Sequence, residues 1–222
     1  MSCCALLRNV RKSVGLALGL ALVLAGAGAV AGRRWWHDRP PYGPEVLNAR
    51  ATLQLVDQAT ADAALQPVNA SVAGDGDQIF LGRVAWDRPP HPQKDGSFRI
   101  VLLDKRSHLL PGFIAVTSAE PEDVSTGTDG ALDQAQKRYP WLQGVGVREI
   151  DGSYWSSGST VFVGSVDASP VTFQTVLHPA DPETPPEQQM VATAPAAVED
   201  LMVALICVGP DGQVYWAQRL LH

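Results

Sequence analysis

Cysteine is scarce. Of three, Cys3 and Cys4 precede an apolar segment and only Cys207 follows it, so the bulk of the chain has no partner for an intramolecular disulfide. Cys207 lies inside the apolar run Leu201–Val208 with no local base, the setting of a small core residue and not of a reactive thiol. A lipid-modified cysteine would follow the apolar stretch, so Cys3 and Cys4 do not mark a lipoprotein. The five histidines (His37, His91, His108, His178 and His222) are scattered at spacings no zinc site uses. GxSxG is missing, and so are the Gly-rich loops of Walker and dinucleotide type. Asp75-Gly76-Asp77 is not followed by the other ligands of a calcium loop and reads as a turn. No internal repeat occurs. These absences give no reason to expect a metal or a cofactor.

Lysine is also scarce beside arginine, and the positive charge is unevenly placed. Residues 1–42 carry five more basic than acidic groups; the formal total is −6, so residues 43–222 sum to −11. A domain that acidic is repelled by phosphate backbones, which argues against a nucleic-acid partner. With 45% apolar residues and six tryptophans, there is material for one ordinary core.

What is present begins at the N-terminus. Val14 to Gly32 holds no charged residue and, as a helix, would reach roughly 28 Å, about a hydrocarbon core. Basic residues flank it, and Trp35 and Trp36 follow where indoles favour the membrane boundary. The sequence therefore predicts a basic cytoplasmic tail at 1–12, a transmembrane signal-anchor at 13–32 and a Pro-rich stalk at 33–44. An extracytoplasmic domain is expected at 45–222. Ala29-Val30-Ala31 offers the alternative of a cleaved signal peptide and a secreted product.

In the domain, Val46, Ala49, Leu53, Val56, Thr60 and Ala63 share one helical face, which predicts a long helix over Glu45–Leu65. Strands are expected at Gln78–Trp86, Phe98–Asp104, Gly112–Thr117, Val145–Ile150, Thr160–Val166 and Val171–Leu177. Two more follow at Leu201–Val208 and Gln213–Leu220, joined by the turn formers Gly209-Pro210-Asp211-Gly212. Val145–Ile150 and Thr160–Val166 flank DGSYWSSGS as a hairpin. A short helix at Ala131–Tyr139 ends at Pro140, and Ala196–Asp200 suits one helical turn. The expected fold class is α+β: an N-terminal transmembrane helix, then an antiparallel or mixed sheet packed by one long helix.

Function is less legible. Trp86, Trp141, Tyr154, Trp155, Tyr215 and Trp216 are candidates to grip a sugar ring or a peptide if they converge on one face, and core packing otherwise. Asp87, His91, Asp104 and His108, at strand ends or in the loops beside them, are the catalytic candidates for a site assembled only by the fold. The leading expectation is a membrane-anchored binding or accessory module of the bacterial envelope, with a protein or envelope-glycan partner. The alternatives are an envelope hydrolase or transferase, and a sensor domain that signals through a partner.

Overall fold

The computed structural model describes residues 42–66, 77–89, 97–104, 112–126, 130–142, 147–150, 153–156, 158–177 and 197–221. For 104, 112–114, 147–150, 153–156 and 158–159 the backbone alone is described. Pro40–His222 form one compact unit. Its strands are β1 (Arg50–Val56), β2 (Gln78–Ala85), β3 (Ser97–Asp104), β4 (Gly112–Ser118), β5 (Val124–Thr126) and β6 (Val147–Ile150). β7 (Ser153–Ser156), β8 (Gly158–Val163), β9 (Val171–Leu177), β10 (Leu201–Val208) and β11 (Val214–Arg219) complete them. The described α-helices are short: α1 (Gln58–Leu65) and α2 (Gly130–Arg138).

Two antiparallel sheets carry the fold. The first, sheet A, runs β1-β2-β9-β4; the second, sheet B, runs β11-β10-β3-β8-β5. Strand alternation sends every second side chain to the space between them. Leu53, Phe80, Val84, Val171, Phe173 and Leu177 from sheet A meet Phe98, Ile100, Leu102, Val161, Val203 and Leu205 from sheet B in one buried cluster. The arrangement is a β-sandwich. Gly82 has a packing reason within it. The register places it beside Phe173, and a Cβ at position 82 would fall 2.2 Å from the Phe173 ring.

The outer faces are covered by the two helices. On sheet B, Val101, Leu103, Met202, Ala204, Ile206 and Val208 pack against Ala131, Ala135 and Leu142 of α2 and the turn after it. β10 is therefore buried along its whole length, on both faces. On sheet A, α1 contributes Ala61 against Ile79 and Val176. Layer order is thus α1, sheet A, sheet B, α2.

The α+β expectation is corrected: the domain is mostly β, two packed antiparallel sheets with two short α-helices among the described residues. The long helix over 45–65 is replaced by a 3-10 turn (Pro44–Leu47), the strand β1 and the eight-residue α1. Asn48 stops the first turn in a left-handed conformation, φ 45°. Asp57, whose carboxylate accepts the Thr60 N–H at 2.7 Å, starts α1 afresh. Between them Arg50–Val56 gains a ladder to β2 that a helix could not make. The helical-looking stripe is a coincidence of spacing across three elements.

The transmembrane signal-anchor has no counterpart among the described residues. None of their helices is long and apolar enough to cross a membrane, and 13–32 lie outside them. The stalk at 33–44 is described from Tyr42 onward, and there it already belongs to the domain: Tyr42 is buried and Pro44 opens the 3-10 turn. The hairpin also changes. β6 pairs with β7, whereas β8 is held between β3 and β5.

Candidate functional site

Three of the six aromatic candidates supply packing. Trp86, Tyr215 and Trp216 are at most 8% exposed and belong to the inter-sheet core. Phe98 links Trp86, 5.4 Å away between centroids, to Trp216 at 6.0 Å, and Tyr42 packs edge-on against Trp216 at 6.5 Å. Their polar atoms are satisfied internally. The Trp86 indole donates to the Val166 carbonyl and that of Trp216 to the Tyr42 carbonyl. The Trp86 N–H donates to the Ser169 hydroxyl, which donates in turn to the Trp86 carbonyl. Each bonded N–H removes the polar handle a ligand would use. Tyr154 and Trp155 lie in β7, of which only the backbone is described.

Trp141 differs. It is half-buried on the outer face of sheet B, in the 3-10 turn Pro140–Leu142 that follows α2. The local sequence builds this position. α2 ends at Arg138 because Pro140 cannot continue it, and the turn that follows brings Trp141 back over β11. Tyr139 sits 6.0 Å from Trp141, the Arg219 guanidinium lies 5.1 Å over the Trp141 ring, and that of Arg138 lies 5.4 Å from the Tyr139 ring. Arg138 also donates to the Val214 carbonyl at 3.0 Å, and Gln134 brackets the β10–β11 turn through Gly212 and Val214. The helix is thereby clamped on the last hairpin and the patch is held on rigid elements. Lys137, Arg138 and Arg219 are exposed, and among the described residues no carboxylate forms an ion pair with any of them. Two of the eleven basic residues of 43–222, Arg138 and Arg219, thus lie over two aromatic rings. Arg138, Arg219 and Tyr139 are not singled out by sequence reasoning. A Lys-Arg-Tyr-Pro-Trp string is the available signal, but its meeting with Arg219 depends on tertiary packing.

Of the four catalytic candidates, Asp87 alone has a described side chain. Asp87 is exposed, accepts from the Asn48 amide at 2.9 Å, and its N–H donates to the Leu47 carbonyl, which ties the turn before β1 to the end of β2. Asp104 closes β3 opposite Leu201, with its backbone alone described. His91 and His108 lie outside the described residues. Nor do three His, Cys, Asp or Glu side chains meet in a way able to hold a metal ion among the described residues.

Three buried groups complete the chemistry. Burial pushes the Cys207 thiol up to about 12, so it is no nucleophile in the folded chain. A thiol reagent is expected to label it only as the domain unfolds; rapid labelling of the native domain would contradict its place in the core. Tyr42 is raised as well, by burial and then by the nearby Cys207. Gln174, on the outer face of sheet A, is fully buried, and neither its amide nitrogen nor its oxygen has a hydrogen-bond partner among the described residues. No family model, curated protein or solved structure matches this chain.

Proposed function

We propose that the domain is a non-catalytic binding module of the cell envelope whose ligand is an acidic glycan, and that it binds at the Tyr139–Trp141 patch. The observation that carries the reading is one half-buried tryptophan beside exposed cations, on a domain of net charge −11. Aromatic faces stack on sugar rings, and guanidinium and ammonium groups meet carboxylates or phosphates; this patch offers both within one surface. Trp86 and Trp216 lack that character because their rings are enclosed and their N–H groups are bonded. An extracytoplasmic position for the domain belongs to the same proposal, supported by the basic, apolar and small-residue order of residues 8–31.

The test is a titration of the full-length protein with an acidic polysaccharide and with its uncharged counterpart. Arg219→Glu and Trp141→Phe are compared with Trp216→Phe. Binding is expected for the acidic polymer alone, falling by about tenfold with Arg219→Glu, the scale of a single charge-assisted hydrogen bond. Trp141→Phe is expected to weaken it less, and Trp216→Phe not at all. No binding of the acidic polymer, or equal binding by the Arg219 variant, would refute the reading; capture of a protein partner insensitive to Arg219 would replace it.

A further inference from the structure

Arginine and lysine carry the same charge but differ as donors. A guanidinium is a planar fork that meets a carboxylate or phosphate with two parallel hydrogen bonds, and it stacks on an aromatic face; an ammonium is a point charge. The Tyr139–Trp141 patch holds both kinds of cation in different ways. The Arg219 guanidinium lies 5.1 Å over the Trp141 ring and that of Arg138 lies 5.4 Å over the Tyr139 ring, whereas Lys137 lies over no described ring. The two forks are also set apart. Arg138 is tied to the start of β11 by its bond to the Val214 carbonyl, 3.0 Å away. Arg219 closes the same strand five residues on, about 15 Å at the usual rise. Between them the small side chain of Ala217 joins Tyr139 and Trp141 in the outer cluster of sheet B, and the two rings are 6.0 Å apart. The contacts thus run in the order Arg138, Tyr139, Trp141, Arg219. Both guanidinium groups belong to exposed residues, and neither has an ion pair among the described residues.

We infer that the ligand of this patch carries acid groups on at least two of its sugars, one gripped by the Arg138 fork and one by the Arg219 fork, with the glycan lying along β11 between them. The inference rests on the acidic-glycan reading of the patch and narrows it to a repeating polyacid held at two points. A fork already laid on a ring loses less freedom when it binds, so each contact favours arginine over lysine. Joining the two acid groups in one chain makes the second contact intramolecular, which raises affinity without any new kind of bond. A single acidic sugar gains one of the two contacts. A lysine in place of either arginine keeps the charge and loses the paired bonds.

The experiment titrates the full-length chain with polygalacturonate, with its tetrasaccharide and with galacturonic acid. The tetrasaccharide is expected to bind about tenfold or more tighter than the monosaccharide. Arg219→Lys is expected to remove most of that gain, and so is Arg138→Lys. The denaturation midpoint of the Arg219 variant should stay unchanged, because Arg219 is exposed. Lys137→Ala, which deletes a charge, should weaken tetrasaccharide binding less than Arg219→Lys, which deletes none. Equal affinity for the monosaccharide and the tetrasaccharide overturns the two-fork inference and leaves the acidic-glycan reading standing. So does a loss with Lys137→Ala as large as that with Arg219→Lys. If polygalacturonate itself does not bind, that reading falls and the inference falls with it.

Discussion

The outer faces of the two sheets make an instructive pair. On sheet B, α2 presses on an unbroken apolar surface, so β10 has buried side chains on both faces. On sheet A, the apolar cluster under α1 is small, Ile79 and Val176 with Val56 at its margin; elsewhere the same face carries exposed Thr52, Gln54 and Arg83 and half-buried Thr117 and Thr172. Both helices are about as short as each other, so helix length does not explain the contrast. The strands beneath do: LMVALICV offers an apolar side chain at every position, whereas RATLQLV and VTFQTVL place Thr52, Gln54, Thr172 and Gln174 on the outer face. Sheet B is the better-buried layer, and it also supports the aromatic and basic patch. Sheet A carries Gln174, whose buried amide has no hydrogen-bond partner among the described residues. The stability of the domain is expected to be graded accordingly, with the lowest local opening free energies at α1 and β1.

The largest effect expected from this contrast is at Ile206. Truncation to alanine removes a fully buried side chain between β10 and α2 and should cost about 2–5 kcal/mol in denaturant unfolding. Val176→Ala, its counterpart under α1, should cost roughly 1.5–2.5 kcal/mol, the loss of two methyl groups. Equal costs at the two sites would erase the distinction between the layers.

A gain is expected next. Gln174 has both amide atoms buried and without a hydrogen-bond partner among the described residues, so Gln174→Leu, similar in size, should stabilise the domain by about 1–2 kcal/mol. If the substitution instead destabilises, the amide has a partner in solution, and sheet A carries no such defect.

The smallest effect belongs to the Asp57 cap of α1. Its hydrogen bonds to Thr60 lower the Asp57 carboxyl below the usual range, so the folded state favours the ionised form. The resulting stabilisation is present above the ordinary carboxylate value and is lost as pH falls through the lowered one. Helical signal from α1 should therefore decline on acidification before the sheets respond. In Asp57→Ala the decline should already be present at neutral pH. A variant indistinguishable from the parent at every pH would show that the cap does not hold α1.

The same contrast explains which elements are legible in the sequence. β10 and β9 are expected at Leu201–Val208 and Val171–Leu177 with the bounds the structure shows, and α2 to within a residue, because central strands and a Pro-terminated helix carry strong local patterns. β1 escapes such reading because an edge strand needs no clean alternation. Of its residues only Leu53 is buried, and Ala, Leu and Gln are comfortable in helices. β6 to β8 are misjoined because Gly152 and the Ser156–Ser159 stretch offer two places to turn, and the choice is made by β3, which binds β8 in register. Trp141 stands out in the sequence as an aromatic candidate. Its separation from Trp86 and Trp216 is a matter of which side of sheet B each occupies, which depends on strand register and not on composition.

Hydrogen exchange of backbone amides under native conditions tests the layered grading most directly. The Leu201–Val208 amides should exchange only through global unfolding, while those of Gln58–Leu65 exchange through local opening at much lower free energy. Equal protection in the two segments, or slower exchange in α1 than in β10, would contradict it.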